Sequence, residues 1–340
     1  FFIILIPELE SKTLQRNQSV MGFQNSWATV QINRGVENWG SGHNIQLALN
    51  ENSDPYNYFL LASNYGKIRV RYIHGFLERI EGNVNRYVSA RGLEWTNNES
   101  FILGFSETII YSGENRPIEL GYLNPISSHL EVELNNRLNL IGNSGANAVW
   151  QLHLDYLYKK RFRVSLNLLY DEFVIDPKIE IGKENGRAFS SRLSYTPIFI
   201  DDKLLTLYSS YIYVGTPTFR HGNGANNFIN NGKPLGWQKG SDSQDISLGI
   251  SYMKKNKFIT STSIGYIQVG DESINKRSYD PYLDYQKGSF PSGKIVSQYY
   301  LHAEISNDIF NDYLMSGHLY FSQNYSVVSV SLSLPVNIKI

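Results

Sequence analysis

Arg34-Gly35-Val36-Glu37-Asn38-Trp39-Gly40-Ser41-Gly42 sets a guanidinium, a carboxylate and an indole among three glycines that let the backbone turn tightly. An aromatic ring to stack on the apolar face of a sugar, flanked by groups that bond hydroxyls, is the chemistry of a carbohydrate site. The same residues also fit a glycine-rich turn anchored by a buried Trp and an Arg–Glu pair, and residue types alone favour that second reading. Two more segments carry polar groups between Gly and Pro. One is 107–119 followed by Asn124-Pro125, with Glu107, Arg116 and Glu119; the other is 221–242, with His221, Lys233 and Trp237 around Asn230-Asn231-Gly232-Lys233-Pro234-Leu235-Gly236. Each is either a ligand-touching segment or an ordinary structured loop.

Catalytic chemistry finds little support. Asp201-Asp202 is an adjacent carboxylate pair, but neighbouring strand residues point to opposite faces, and a turn between Ile200 and Lys203 explains it better. The 7 histidines (43, 74, 129, 153, 221, 302, 318) show neither His-x-x-x-His nor Glu-x-x-His spacing and have no Cys partner, so no metal-ligand set is expected. His302 and Glu304 share a strand face, with His318 on another strand; without a serine-centred motif they read as a wet lumen pair. Gly40-Ser41-Gly42 and Gly222-Asn223-Gly224 lack the following helix of a phosphate loop. No catalytic residue and no cofactor are implied.

The elements that must position these groups are strands. In 328–340, Val328, Val330, Leu332, Leu334, Val336, Ile338 and Ile340 alternate with Ser329, Ser331, Ser333, Pro335, Asn337 and Lys339. That run exceeds the usual soluble strand of about 5–6 residues and matches the length that crosses a bilayer at a tilt. Similar alternation recurs at 68–72, 150–156, 161–171, 245–252 and 298–305, each with one greasy and one wet face. A soluble sandwich alternates too, but strand length, the 24 Tyr and 17 Phe, and tyrosines at strand ends (156, 158, 170, 252, 266) favour a membrane barrel. On the wet faces Lys67, Arg69, Arg71, Arg161 and Arg163 would line a hydrated lumen.

Composition agrees. There is no Cys, and 31 basic residues balance 31 acidic ones, which gives no electrostatic footprint for nucleic acid. No stretch approaches the ~20 apolar residues of a membrane helix, and a mean hydropathy of −0.31 suits alternating strands. The reading is all-β: one outer-membrane-type antiparallel β-barrel over 1–340. Strands are expected near 25–33, 45–50, 57–63, 66–76, 86–95, 100–111, 130–136, 147–158, 161–172, 188–198, 203–214, 245–254, 257–269, 297–306, 312–322 and 326–340, and 1–7 also reads as part of a strand. Short turns fall at 159–160, 201–202, 254–257 and 307–312. The long connections 176–187, 215–244 and 270–295 would face outward or fold into the lumen.

Arg34 to Gly42, then Gly113-Glu114-Asn115-Arg116-Pro117-Ile118-Glu119-Leu120-Gly121-Tyr122-Leu123-Asn124-Pro125, then Asn230 to Gly236 with Gly240-Ser241-Asp242-Ser243 resemble, in that order, the landmarks of the Wzi-type capsule-assembly family of outer-membrane barrels. The resemblance spans about residues 25–255. Members of that family carry strands and a helical segment ahead of the first landmark, so N-terminal strands are expected to be missing here. The family continues after the first landmark with an aspartate-bearing segment near Pro-Phe-Asp, whereas this chain reads His43 to Asn50 and then Asp54-Pro55-Tyr56. The resemblance implies a bacterial outer-membrane protein in contact with lipid that binds or attaches capsular or exopolysaccharide, without catalysis. It would use Arg34, Glu37, Trp39, Glu107, Arg116, Glu119, His221, Lys233 and Trp237. An anion-selective porin is the alternative, and a subunit of a surface or secretion complex with protein partners is a third. A plug built from 107–145 would oppose conduction.

Overall fold

The computed structural model describes residues 2–7, 17–128, 145–171, 181–200, 202–254, 257–283, 287–308, 314–323 and 326–333. The first half of the wall is β1 (Phe2–Pro7), β2 (Asn17–Gln24), β3 (Ala28–Gly35), β4 (Tyr56–Tyr65), β5 (Ile68–Ile80), β6 (Val84–Thr96), β7 (Phe101–Glu114), β8 (Asn147–Tyr158) and β9 (Phe162–Tyr170). It continues with β10 (Arg187–Ile200), β11 (Lys203–Val214), β14 (Ser243–Lys254), β15 (Phe258–Val269), β16 (Val296–Asp308), β17 (Leu314–Ser322) and β18 (Ser326–Ser333). These form one 16-stranded sheet in which each strand lies beside its neighbour in sequence order. Every ladder is antiparallel, as hairpin connections require. A separate two-stranded hairpin, β12 (Ile229–Asn230) with β13 (Lys233–Pro234), sits in the β11–β14 connection. Among the described residues the one α-helical turn, α1 (Leu120–Leu123), lies in the β7–β8 connection.

Period-two alternation assigns the faces. Ile246, Leu248 and Ile250 on β14, Ile264 on β15, Leu301 and Ile305 on β16 and Val328 and Val330 on β18 point outward; Leu248 is 57% and Val328 72% exposed. Residues of opposite parity line the interior. Aromatic side chains ring the outer wall at the short-turn end: Trp27 with Tyr65, Trp95 with Phe101, Phe162 with Tyr195, and Tyr252 with Phe258. Amphipathic rings belong at a membrane–water boundary. Two irregularities have local causes. The ladder shifts between Tyr195 and Ile198, where Pro197 cannot donate an amide, and between Phe76 and Glu78, where a bulge turns Glu78 inward.

The expected strands are present with small boundary shifts, except two. Residues 130–136 lie outside the described residues, as do 334–340 of the final strand. Residues 45–50 do not join the wall: beyond a single bridge between Trp39 and Leu49 they form no ladder. The alternation there packs Ile45, Leu47 and Leu49 into an interior core instead. Strands β1 and β2 precede the first landmark.

The connections 25–27, 66–67, 97–100, 159–161, 201–202 and 255–257 are all short and share one end of the sheet; the long connections 36–55, 115–146, 171–186, 215–242 and 270–295 share the other, together with the tight turn 81–83. In outer-membrane barrels short turns face the periplasm, which makes the long-loop end the external one. Two of these connections fold inward as a plug, to which 270–295 adds Ile274. Ile45, Leu47 and Leu49 from 36–55 meet Phe219, Phe228, Leu235 and Trp237 from 215–242, and both pack on Ile73, Val88, Ile110, Val149 and Ile212 of the wall.

Candidate functional site

Backbone contact joins the two plug loops. The Asn50 amide donates to Leu235 O (3.0 Å) and the Trp237 amide to Leu47 O (3.2 Å). Gly236 makes this approach possible, since a Cβ there would lie 1.7 Å from Leu47 O. The wall then bonds the plug. Asn167 Oδ1 accepts from the Ser41 amide (2.8 Å) and its Nδ2 donates back to Ser41 O (3.0 Å), while Ser190 Oγ donates to Ile45 O (2.6 Å).

Arg86 of β6 is wholly buried. It donates to Ala225 O (2.6 Å), Asn227 O (2.6 Å) and Ile229 O (2.8 Å) and pairs with the bulge residue Glu78. A planar guanidinium suits this spread of carbonyls, and removing one partner from a buried ion pair costs about 3–5 kcal/mol. Tyr279 from 270–295 donates to Glu78 as well (2.9 Å), and burial pushes its phenol up to about 12, so it stays a donor. Arg220 is likewise buried, bonded to Glu272 Oε2 (2.6 Å) and O (2.9 Å).

The first landmark becomes part of this plug. Glu37, 8% exposed, accepts from Trp39 Nε1 (3.2 Å) and Tyr58 OH (2.8 Å) and pairs with Arg71 (3.2 Å). Trp39 and Trp237 are 6% and 7% exposed, so neither offers a face for a sugar. Arg34 is on the outer face of β3 beside Asn57 (3.4 Å), away from Glu37. The buried-anchor reading therefore describes this segment, with Arg71 in place of Arg34 as the cation.

The second landmark lies outside the wall. Leu103 and Phe105 point outward and are exposed, so Glu107, Ile109 and Tyr111 share that face, yet these three are buried. What covers Ile109 and Tyr111 is the β7–β8 connection. Tyr122 of α1 stacks on Tyr111 (4.4 Å), and its carbonyl accepts from Tyr72 OH (2.8 Å) and Ser89 Oγ (3.1 Å). Directly opposite one another in the ladders, Arg91, Glu107 and Trp150 form a network: Arg91 Nε lies 3.1 Å from Glu107, and Trp150 Nε1 donates to it (3.0 Å). Arg116 bonds Glu119 (2.7 Å) and covers the Tyr111 ring at 4.9 Å. A lumen plug built from 107–145 is thus corrected: 107–114 belongs to β7, 115–128 straps the outer wall, and 129–144 lies outside the described residues.

At the long-loop end the hairpin β12–β13 presents Lys233, whose side chain is 56% exposed and reaches Asp54 (2.9 Å) across the joint between the plug loops. His221 holds the same loop, its amide donating to Asn227 Oδ1 (2.8 Å) and its Nδ1 accepting from the Asn223 amide (2.9 Å). Beyond the plug toward the short turns, Arg69, Arg161, Arg163 and Arg192 line a cavity of about 580 Å³. Arg163 pairs there with Asp155 (2.8 Å). Lys67 is exposed in the β4–β5 turn, outside this lining. Arg192 lies over the Tyr208 ring at 3.6 Å; Ser191-Arg192-Leu193 carries no sequence signal for this, which arises only when β10 and β11 pair.

Neither family profiles nor curated protein sequences give a match. Among solved structures, the chain is similar to Wzi of Escherichia coli, described as an outer-membrane protein involved in group 1 capsule assembly and as a carbohydrate-binding β-barrel. The identity is 12%, the TM-score 0.65, and the match covers 99% of this chain and 84% of that one. The fold is that of bacterial outer-membrane β-barrels. A BenF-like porin from Pseudomonas fluorescens matches at 7% identity, TM-score 0.49, over 96% and 79% of the chains. OccK10 of Pseudomonas aeruginosa matches at 10%, TM-score 0.49, over 99% and 93%. With its outward apolar face and aromatic ring, the barrel resides in the bacterial outer membrane.

Proposed function

We propose that this barrel binds capsular or exopolysaccharide at its external end and helps to hold it on the cell surface, without catalysing a reaction. The observation that carries this reading is the plug. Two loops bound to each other and to the wall close the long-loop half of the lumen and make its outer surface a fixed platform rather than a pore mouth. Lys233 and His221 stand on that platform. Glu37, Trp39 and Trp237 serve it from beneath, as supports that hold its shape. The fold shared with a barrel described as carbohydrate-binding supports the same reading. The test is to immobilise the purified barrel and pass over it the surface polysaccharide of its own host. Saturable binding, weakened several-fold by Lys233→Ala in a protein that still folds, is expected; no binding by the unaltered protein contradicts the proposal.

One observation favours a second reading. The arginines facing the short-turn side are spaced around a hydrated cavity, as an anion-selective channel would require. Planar-bilayer recording separates the two, because a channel conducts steadily and a plugged barrel does not.

A further inference from the structure

The register of β16 on β17 brings together three side chains that sequence spacing separates. His302 and Glu304 are two apart on β16 and so share its inner face, and His318 lies directly opposite Glu304 in the ladder. His302 Nε2 is 3.4 Å and His318 Nδ1 3.9 Å from Glu304 Oε1, and one donor atom from each residue falls within 4.8 Å of the others. The two imidazoles lie nearly parallel, 6.5 Å apart at 19°.

We propose that His302, Glu304 and His318 form a binding site for a divalent transition-metal cation of the zinc class on the lumen wall. Two imidazoles and one carboxylate are a set such ions accept, leaving a further position for water or an incoming ligand. Metal–ligand bonds of about 2.0–2.1 Å at tetrahedral angles place donor atoms roughly 3.3–3.4 Å apart. The His302–Glu304 separation already matches. His318 is 49% exposed, with room to swing the remaining distance. All three line an interior cavity of about 530 Å³, which gives an ion a route in. The cations in the same cavity are occupied by rings: Lys239 stands over Tyr320 at 5.2 Å and Arg192 over Tyr208 at 3.6 Å. Searches for His-x-x-x-His miss such a site because i, i+4 is the helical spacing; on a strand the equivalent is i, i+2 plus a cross-strand partner. This site does not depend on the polysaccharide reading.

The test uses the full-length barrel in detergent micelles, its affinity tag removed and its metals stripped by chelator. Zinc is titrated against a chromogenic chelator, and cobalt(II) is followed by its visible absorption. One equivalent of zinc should bind, and cobalt should give an imidazole-coordinated spectrum. Glu304→Gln and His318→Ala should each weaken zinc binding roughly tenfold or more. His43→Ala, in the same cavity but outside the cluster, should leave it unchanged. Folding of each variant is checked by heat-modifiable migration on a gel, and Glu304→Gln, nearly isosteric, serves if His318→Ala does not fold. Failure of the unaltered barrel to bind zinc, or undiminished binding by a folded Glu304→Gln, overturns the proposal.

Discussion

Trp39 is the residue on which the chemical reading of the chain turned, and its burial decides between stacking and anchoring. Its indole is spent on Glu37 and on the plug core, so its loss leaves a cavity and removes one of the carboxylate's three partners, Tyr58 and Arg71 remaining. Trp39→Ala should lower unfolding stability by about 3–5 kcal/mol, read in denaturant, while the folded fraction keeps its glycan binding. A fall in binding at unchanged stability would return the indole to a ligand site. The residue types here were legible as an anchored glycine-rich turn; the cation was not, because Arg71 reaches Glu37 through the pairing of β4 with β5 rather than through sequence. The outer strap, expected instead as a lumen plug, leaves a trace in the polar residues beneath it. Ser89, Arg91 and Glu107 share their strand face with Leu93 and Phe105, which are exposed on the outer wall. Such a break in alternation marks a stretch of wall that something must cover.

Individual strands were readable because period two needs no knowledge of partners. Residues 45–50 show the limit: an extended segment with one apolar side alternates equally well when that side packs on a plug. Outward positions should respond as lipid contacts do. Ile264→Arg, on the outer face of β15, is expected to cost about 2–4 kcal/mol when folding is measured in lipid vesicles if it lies near the bilayer midplane. Ser261→Asn, on the hydrated face, should cost far less. The 270–295 connection depends on charge. Burial raises the Glu272 carboxyl, but hydrogen bonds from Arg277 and Arg220 outweigh it and hold the group below its usual value. A depressed carboxyl contributes stability that is complete above its unfolded value and lost as pH falls through the folded one. Amide protection factors around Glu272, which divide out the intrinsic pH dependence of exchange, should therefore be flat from about pH 7 to 5 and fall below about pH 4.

At the scale of the molecule, a lipid-facing wall surrounds a core made by loops. Alternation gave the wall, but the plug rests on contacts between residues far apart in sequence, such as Arg86 with Ala225 to Ile229, and on glycines whose role shows only at the crossing of two backbones. Gly236 stood within a landmark of the sequence, yet nothing there said that Leu47 would lie against it. In planar bilayers the intact barrel should pass little current, and deleting 38–50 should open steady conductance while the outer wall still inserts. Equal conductance before and after would mean that these loops do not close the lumen. The most direct measurement of the account is made on cells: delete the gene in its host and quantify polysaccharide on the surface and in the medium. Polymer released into the medium with total synthesis unchanged is the predicted result. Unchanged retention on cells would contradict it.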